Sequence, residues 1–151
     1  MTFTEFEVRC YRKISKHKFL LKSLLNIRSI FGFNKYDVRG YENRIIHDWA
    51  LLKRVKFDII GNNNQIYLHE ESLIQNTTVY IRGSDHRLFV GRHCILKGGS
   101  FWFEDTDCTI SIGDHTTIEC AHLAATENGK SIDIGCDCML AYDIEVRTGD
   151  S

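Results

Sequence analysis

The second half of the chain repeats one pattern every 22 residues without a gap. The dipeptide Val90-Gly91 recurs 22 residues later as Ile112-Gly113 and again as Ile134-Gly135. A further apolar residue stands two positions before each dipeptide's first residue, and another stands six positions after it. A fixed period of this length is typical of solenoids, in which each repeat buries its apolar face only against its neighbours. We expect this register to run without an insertion from Ile59 to Val146.

The spacing within one period predicts the shape of the coil. Apolar residues recur at steps of six, as in Leu68, Ile74 and Tyr80, and three such steps leave four residues for a longer corner. That corner is rich in Gly, Asn and Asp, as in Gly61-Asn62-Asn63-Asn64, because these residues tolerate left-handed backbone angles. Three short strands per coil predict an all-β solenoid, a triangular parallel β-helix of about four coils over residues 57–151. The side chains predicted to point inward are those of Ile66, Leu68, Ile74, Leu88, Val90, Leu96, Ile110, Ile112, Ile118, Ile132, Ile134 and Leu140.

The first third of the chain is strongly basic. Residues 1–56 hold 13 Lys and Arg against 5 Asp and Glu, and within residues 1–35 apolar side chains lie at loose helical spacing. We expect residues 1–56 to form a short α-helical region and a cap, because a solenoid must protect its open core and unpaired strand edges. The basic face is either a solvated helical surface or a contact for an anionic membrane surface. Nucleic acid is not an expected partner, because the rest of the chain is neutral to acidic.

The cysteines lack the spacing of a disulfide framework. Cys94 and Cys138 occupy the small position that Ser72 and Thr116 occupy in the other repeats, so we expect them to be core residues. No run approaches the ~20 apolar residues that a membrane span needs, and the charged N-terminus lacks the long apolar stretch of a signal peptide. These features favour a reducing cytoplasm, with the basic region at the periphery of the inner membrane as a further expectation.

The motif apolar-Gly-x-x-small-x resembles the repeat of the hexapeptide-repeat acyltransferases, which have a left-handed parallel β-helix. Ile112-Gly113-Asp114-His115-Thr116-Thr117 is a clear instance, and Ile134-Gly135-Cys136-Asp137-Cys138-Met139 is another. The segment from Ile144 to Ser151 resembles the stretch that leads into the active site of sugar and polysaccharide O-acetyltransferases within that family. The resemblance covers residues 57–151. It implies acetyl-CoA as acyl donor, a sugar or polysaccharide precursor as acceptor, and a homotrimer with active sites between subunits.

The family carries its general-base histidine in this stretch, commonly directly after an Asp-Ser pair. Asp150 and Ser151 match that pair, and Ser151 is the last residue of the chain. The resemblance therefore implies that Asp150 and Ser151 flank the catalytic position. We expect the 151-residue chain to be a fragment of a longer protein and to be inactive alone.

The repeat register selects the corner that should face the catalytic position. At a period of 22, Ser151 aligns with Gly129, so the preceding corner lies about one strand spacing away. That corner contains Thr126, Glu127 and Asn128, and the resemblance implies that such polar residues contact the acceptor. The alternative for Glu127 is a solvated corner with no contact to substrate.

Two further side chains are candidates for substrate contact. His122 aligns with Ser100 and Ile144 at a position expected to point inward, where its ring either widens the coil or enters a cleft. Arg147 precedes the catalytic position and is a candidate for contact with a phosphate of CoA or of a nucleotide sugar. The alternatives are a hydrogen-bonded core histidine and a surface ion pair of Arg147 with Glu145.

A metal is not expected, although His93 and His115 share one repeat position and Asp137 follows in the same column. That position should face outward at a corner, and a third histidine at suitable spacing is not evident, so surface stacking of the two rings is the favoured interpretation. Two other functions are compatible with the repeat: a non-catalytic solenoid that serves as an assembly module, and an acyltransferase for serine or an amino sugar. A histidine directly after Ser151 in the parent gene would favour the enzyme.

Overall fold

The computed structural model describes residues 33–47 and 49–149. The helices predicted within residues 1–35 fall almost wholly outside these ranges. In the described part of the chain, no helix is long and apolar enough to cross a membrane.

The described residues form fourteen strands, and every pair of neighbouring strands is parallel. The strands are arranged on three faces around a common core. The first face contains β2 (Arg44–Ile46), β5 (Gln65–Leu68), β8 (Arg87–Val90), β10 (Thr109–Ile112) and β12 (Ser131–Ile134). The second contains β3 (Leu51–Lys53), β6 (Leu73–Gln75), the first half of β9 (Ile95–Phe103), the first half of β11 (Thr117–Ala125) and β13 (Met139–Leu140). The third contains β1 (Lys35–Arg39), β4 (Lys56–Ile60), β7 (Thr78–Arg82), the second halves of β9 and β11, and β14 (Ile144–Arg147).

The predicted stacking of apolar columns is confirmed on the first two faces. Ile112 lies in register with Val90 on one side and with Ile134 on the other. Ten of the twelve side chains predicted to point inward are at most 5% exposed, and the other two, Ile134 and Leu140, are partly buried and pack against the same core. The 22-residue period therefore corresponds to the number of residues in one coil.

On the third face, the buried residue comes five rather than six positions after the buried residue of the second face, as in Ile74 and Val79. Tyr80 and Trp102 face outward and are partly exposed, whereas Val79 and Phe101 are in the core at 2% and 5% exposure. Strands β7 and β9 alternate in burial, and alternation places every second side chain on the same side of a sheet. The corner between the second and third faces is thus shorter than an even division of the period predicts.

The solenoid begins earlier than residue 57, so the first coil is not a helical cap. β1 pairs with β4, β2 with β5 and β3 with β6, which brings the total to about five turns rather than four. The first coil has no counterpart of Gly91, but its corners contain Gly40 and two asparagines. The Asn34 Oδ1 accepts the Val55 N–H at 2.9 Å, and the Asn43 Oδ1 accepts the Asn64 N–H at 3.0 Å. These amides satisfy backbone donors that turn away from the strand ladders at the corners.

The register also contains one insertion, contrary to the sequence-based expectation. Ile118 pairs with Leu140, 22 positions on, but Ala121 pairs with Ile144, 23 positions on. The extra residue of the last coil lies between Leu140 and Ile144, a segment in which Tyr142 is 70% exposed. It lies in the corner between β13 and β14, where the bulge leaves the strand pairing on both sides intact.

Small side chains at one corner join each coil to its neighbours, which confirms the core role predicted for Cys94. Ser72 Oγ donates to the Gly91 carbonyl at 2.7 Å and accepts the Cys94 N–H at 3.3 Å. Thr116 makes the same pair of bonds two turns later, to Gly135 and from Cys138. The Cys94 thiol lies 3.1 Å from the Gly113 carbonyl, and burial raises the pKa of that thiol.

A second corner uses longer side chains in the same way. The Asn64 Oδ1 accepts the His86 N–H at 3.0 Å, and the His86 Nδ1 accepts the Cys108 N–H at 3.2 Å. His86 is 0% exposed and packs near Phe103, with ring centroids 5.4 Å apart. Because Nδ1 is an acceptor, the imidazole is neutral in this arrangement, and burial lowers the pKa of His86 below its ordinary value.

We predict that His86 makes folding sensitive to acid. Its pKa is lower in the folded than in the unfolded chain, so its stabilising contribution is complete above about pH 6.5, the usual unfolded value, and is lost as the pH falls through the folded-state pKa. His86→Asn copies Asn64 and keeps an acceptor for the Cys108 N–H. In urea unfolding between neutral pH and about pH 5, the variant should lose less stability than the wild type. Parallel pH curves for the two proteins would contradict this assignment.

We also predict that Ile112→Asp destabilises the fold by on the order of 3 kcal/mol or more, because it places a carboxylate in an apolar column. Thr109→Asp is the matched control, because Thr109 is partly exposed on the same strand and in register with Arg87. Denaturant midpoints of the two variants provide the measurement. A wild-type midpoint for Ile112→Asp would show that this column is not a core.

Candidate functional site

The end of the last strand packs against the predicted corner of the preceding coil. Thr148 Oγ1 donates to the Thr126 carbonyl at 2.7 Å and accepts the Thr126 N–H at 2.9 Å. A Cβ added to Gly149 would lie 2.5 Å from Thr126 Oγ1 and 3.5 Å from Glu127 Oε1, so glycine permits this close approach. The structure therefore brings Thr148 and Gly149 together with Thr126 and Glu127, and we call these four residues the corner site.

Asp150 and Ser151 lie outside the described residues, so their roles remain predictions. The insertion nevertheless changes the expected alignment of the catalytic position. The Thr148 N–H donates to the Ala124 carbonyl at 3.1 Å, which continues the 23-residue offset past the end of β14. At that offset, position 151 aligns with Asn128 rather than with Gly129.

Asn128 makes a structural contact toward the preceding coil. Its Oδ1 accepts the Thr106 N–H at 3.1 Å and the Thr106 hydroxyl at 2.7 Å. Glu127 and Asn128 are both exposed, and Glu127 has a left-handed φ of 70°, which turns the chain at the corner. Of these two predicted acceptor contacts, Glu127 has its side chain nearer to Gly149.

His122 faces outward, so the predicted inward position is wrong. It is in register with Ser100 and, because of the insertion, with Glu145 rather than with Ile144. Its Nδ1 lies 2.5 Å from the Ser100 Oγ, and one edge of its ring meets Trp102 at a centroid distance of 6.1 Å. His122 precedes Thr126 by four residues along β11, which places it about 13 Å from the corner site at ~3.3 Å per residue.

Arg147 forms the surface ion pair that the sequence left open as an alternative. Its guanidinium lies 2.7 Å from the Glu145 carboxylate, and both side chains are exposed. An exposed pair of this kind contributes little to stability, so Arg147 can exchange Glu145 for a phosphate without a large loss. The side chain points away from the core, next to Ala124 of the preceding coil.

His93 and His115 stack at the surface, with centroids 4.8 Å apart and ring planes 16° apart. His93 Nδ1 also lies 2.9 Å from a Glu71 carboxylate oxygen. Both histidines adopt a positive φ, which identifies this column as a left-handed corner. Residues 33–47 and 49–149 contain no group of three or more His, Cys, Asp or Glu side chains placed to hold a metal ion.

An aromatic stack on the third face was missed by the sequence analysis. The Tyr80 and Trp102 rings lie 3.9 Å apart, and the Arg82 guanidinium lies 3.8 Å over the Tyr80 ring. Arg82 is in turn paired with Asp58 at 2.7 Å. The signal was available, because Tyr80 and Trp102 stand 22 residues apart and each is flanked by apolar residues on both sides. The step of six had placed Tyr80 in an apolar series with Leu68 and Ile74, which hid its outward orientation.

A solved structure with a similar fold can be compared with this arrangement. The polySia-specific acetyltransferase NeuO aligns with 78% of this chain at a TM-score of 0.72 and 24% sequence identity. The likeness shows the fold, a left-handed parallel β-helix. The chain spans half the length of the NeuO chain. No family model matches the sequence, and no curated protein matches it significantly.

We predict that Thr148→Val loosens the end of β14, because it removes both hydrogen bonds to the Thr126 backbone. The loss should be about 1–2 kcal/mol of local stability, the usual range for buried polar groups left without partners. Amide hydrogen exchange at residues 144–149 should accelerate, while exchange in β10 should not change. Thr148→Ser keeps the hydroxyl and should exchange like the wild type. Equal exchange in Thr148→Val would show that other contacts hold the strand end.

Proposed function

We propose that this protein is an acetyl-CoA-dependent O-acetyltransferase that acts on a sugar hydroxyl in the biosynthesis of a surface polysaccharide. The corner site carries the proposal: the strand that leads to Asp150 and Ser151 is hydrogen-bonded to the Thr126–Glu127 corner. The fold likeness to NeuO, which is named as a polySia-specific acetyltransferase, supports the same class of activity.

The proposed reaction needs three groups. A sugar hydroxyl is a weak nucleophile at neutral pH, so a neutral imidazole must accept its proton during attack on the acetyl thioester. A hydrogen-bond acceptor must hold that imidazole in the correct tautomer, and a donor must stabilise the oxyanion of the tetrahedral intermediate. The thiolate of CoA then leaves, and the acetyl group remains on the sugar oxygen.

We assign the base to a histidine directly after Ser151 in the parent protein, flanked by Asp150 and Ser151. The 23-residue offset would place it beside Gly129, at the same corner as Glu127. Glu127 is exposed there, so its carboxylate is suited to accept hydrogen bonds from hydroxyls of the acceptor. Thr126 is partly exposed and lies against Gly149, next to Glu127 in the same corner. Arg147 is the candidate for a phosphate of CoA or of a nucleotide sugar.

The proposal includes a homotrimer with its active sites between subunits, a cytoplasmic location, and a basic N-terminal region that contacts an anionic membrane surface.

The competing hypothesis is a non-catalytic assembly module, and an acyltransferase for serine or an amino sugar is a third. Incubation of the parent protein, read past Ser151, with acetyl-CoA and a panel of sugar, serine and amino-sugar acceptors separates the three. Free CoA with an O-acetylated sugar supports the proposal, whereas no transfer to any acceptor supports the assembly module.

In the parent protein, Glu127→Ala should lower acetyl transfer at least about tenfold, because the acceptor loses a charged hydrogen-bond partner. The melting temperature should stay nearly unchanged, because an exposed corner carboxylate contributes little to the core. Glu42→Ala is the matched control, because Glu42 is an exposed corner glutamate of the first coil with a similar left-handed φ. It should transfer acetyl groups at the wild-type rate. A wild-type rate in Glu127→Ala would remove Glu127 from the site, and a parallel loss of stability would make its role structural.

A further inference from the structure

The third face carries a second group of side chains, away from the corner site. Two adjacent outward columns contain hydroxyl and imidazole groups in one and aromatic rings in the other. We call this group the aromatic face, and its members are Thr78, Tyr80, Ser100, Trp102 and His122. All five are partly exposed, although they lie on strands whose alternate residues form the core.

The aromatic face is continuous across three coils. Tyr80 stacks on Trp102 with a ring-centroid distance of 3.9 Å, and Trp102 meets the edge of the His122 ring at 6.1 Å. The Ser100 Oγ is 2.5 Å from the His122 Nδ1 and fixes the orientation of the imidazole. The rings are thus held in place by each other and by the adjacent column, which removes much of the entropy cost of ordering them around a ligand.

The outer polar atoms of this face have no hydrogen-bond partner among residues 33–47 and 49–149. In the described part of the chain, the Tyr80 hydroxyl, the Trp102 Nε1–H and the Thr78 hydroxyl make no hydrogen bond, and none of the three is among the buried polar atoms left unsatisfied. They therefore face solvent. His122 likewise uses only its Nδ1, which leaves Nε2 available. Tyrosine and tryptophan with exposed polar ends and ordered rings are typical of surfaces that bind a ligand or a partner.

The charged groups around this face are already paired. Arg82 and Lys56 each lie 2.7 Å from the Asp58 carboxylate, and Arg147 lies 2.7 Å from Glu145. The two cations hold the pKa of Asp58 below its usual value, so Asp58 stays ionised and keeps both partners at neutral pH. An acidic ligand over the Tyr80–Trp102 stack would have to displace Asp58 from Arg82 or Lys56, whereas a neutral one would not.

We propose that the aromatic face binds a neutral stretch of the acceptor glycan. One side of a pyranose ring is made of C–H groups and packs against aromatic surface, and its hydroxyls can exchange hydrogen bonds with Trp102, Tyr80, Thr78 and His122. The face extends over two strand spacings, about 10 Å, and β11 leads from His122 to the corner site at about 13 Å. This inference rests on the proposed function, because it supplies a subsite for glycan units next to the one that is acetylated.

Binding to the 151-residue chain tests the subsite without any acetyl transfer. The probes are neutral hexasaccharides of glucose, galactose, mannose and N-acetylglucosamine, with an α2,8-linked sialic acid hexamer as the acidic comparison, in calorimetric titrations. At least one neutral oligomer should bind, and more tightly than the sialic acid hexamer. Trp102→Ala should weaken that binding at least about tenfold, and Trp102→Phe, which keeps the stack but removes the N–H, by a smaller factor. Thr78→Val should also weaken it.

Tyr67→Ala is the matched control, because it breaks a comparable stack with Phe89 (5.3 Å between centroids) on the first face. It should leave binding unchanged. The proposal is overturned if no neutral oligomer binds, if the sialic acid hexamer binds as tightly, or if Trp102→Phe and Thr78→Val both bind like the wild type. A change in sedimentation of Trp102→Phe would also overturn it, by making the face a contact between protein chains. Loss of glycan binding in the 151-residue chain contradicts the subsite alone, whereas absence of acetyl transfer by the parent protein to every acceptor contradicts the proposed function, so the two failures are distinguishable.

Discussion

The fold depends on hydrogen bonding between coils, because no coil can satisfy its own peptide groups. Each strand between the two ends of the solenoid pairs with the coil before and the coil after it, and the corners must do the same with side chains. The hydroxyls of Ser72 and Thr116 each donate to a carbonyl of the next coil and accept an N–H from that coil. These bonds link neighbouring coils at the corners as backbone bonds link neighbouring strands. A spacing of 22 residues at these corners keeps the partners opposite one another. The repeat in the sequence is therefore a consequence of hydrogen-bond geometry as much as of apolar packing.

The apolar columns of the first two faces could be predicted because burial there follows the period directly. The third face could not be predicted by the same count, since a step of six from Ile74 ends at Tyr80, an aromatic residue that suits a core. In the segment Val79-Tyr80-Ile81, either Tyr80 or the pair Val79 and Ile81 could point inward. The structure buries the β-branched pair. The first coil was missed for a different reason. Its strands β1 and β2 pair with the next coil at an offset of 21 rather than 22, so a search at a period of 22 does not align Gly40 with Gly61 or Asn43 with Asn64.

The candidate site was predicted to the extent that it depends on strand pairing. Thr148 and Gly149 lie against Thr126 and Glu127 because neighbouring coils carry that alignment along the whole solenoid. The outward orientation of His122 could not be predicted from spacing, because the inward and outward positions of the third face were interchanged in the sequence-based assignment. Its actual surroundings, with Ser100 and Trp102, separate it from the corner and place it in a neutral aromatic surface.

The single extra residue in the last coil decides which side chains of β14 face solvent. At an offset of 22, Glu145 would align with Leu123 and point into the apolar core, where an unpaired carboxylate is costly. The bulge between Leu140 and Ile144 shifts the strand by one position, so Val146 aligns with Leu123 and packs against the core instead. Glu145 then lies outside next to His122, where Arg147 can pair with it. The same shift places Thr148 rather than Arg147 opposite the residue after Ala124. The Thr148 N–H donates to the Ala124 carbonyl, and its hydroxyl bonds to the Thr126 backbone. The cost of burying one charge thus accounts for the register that joins the end of the last strand to the corner site.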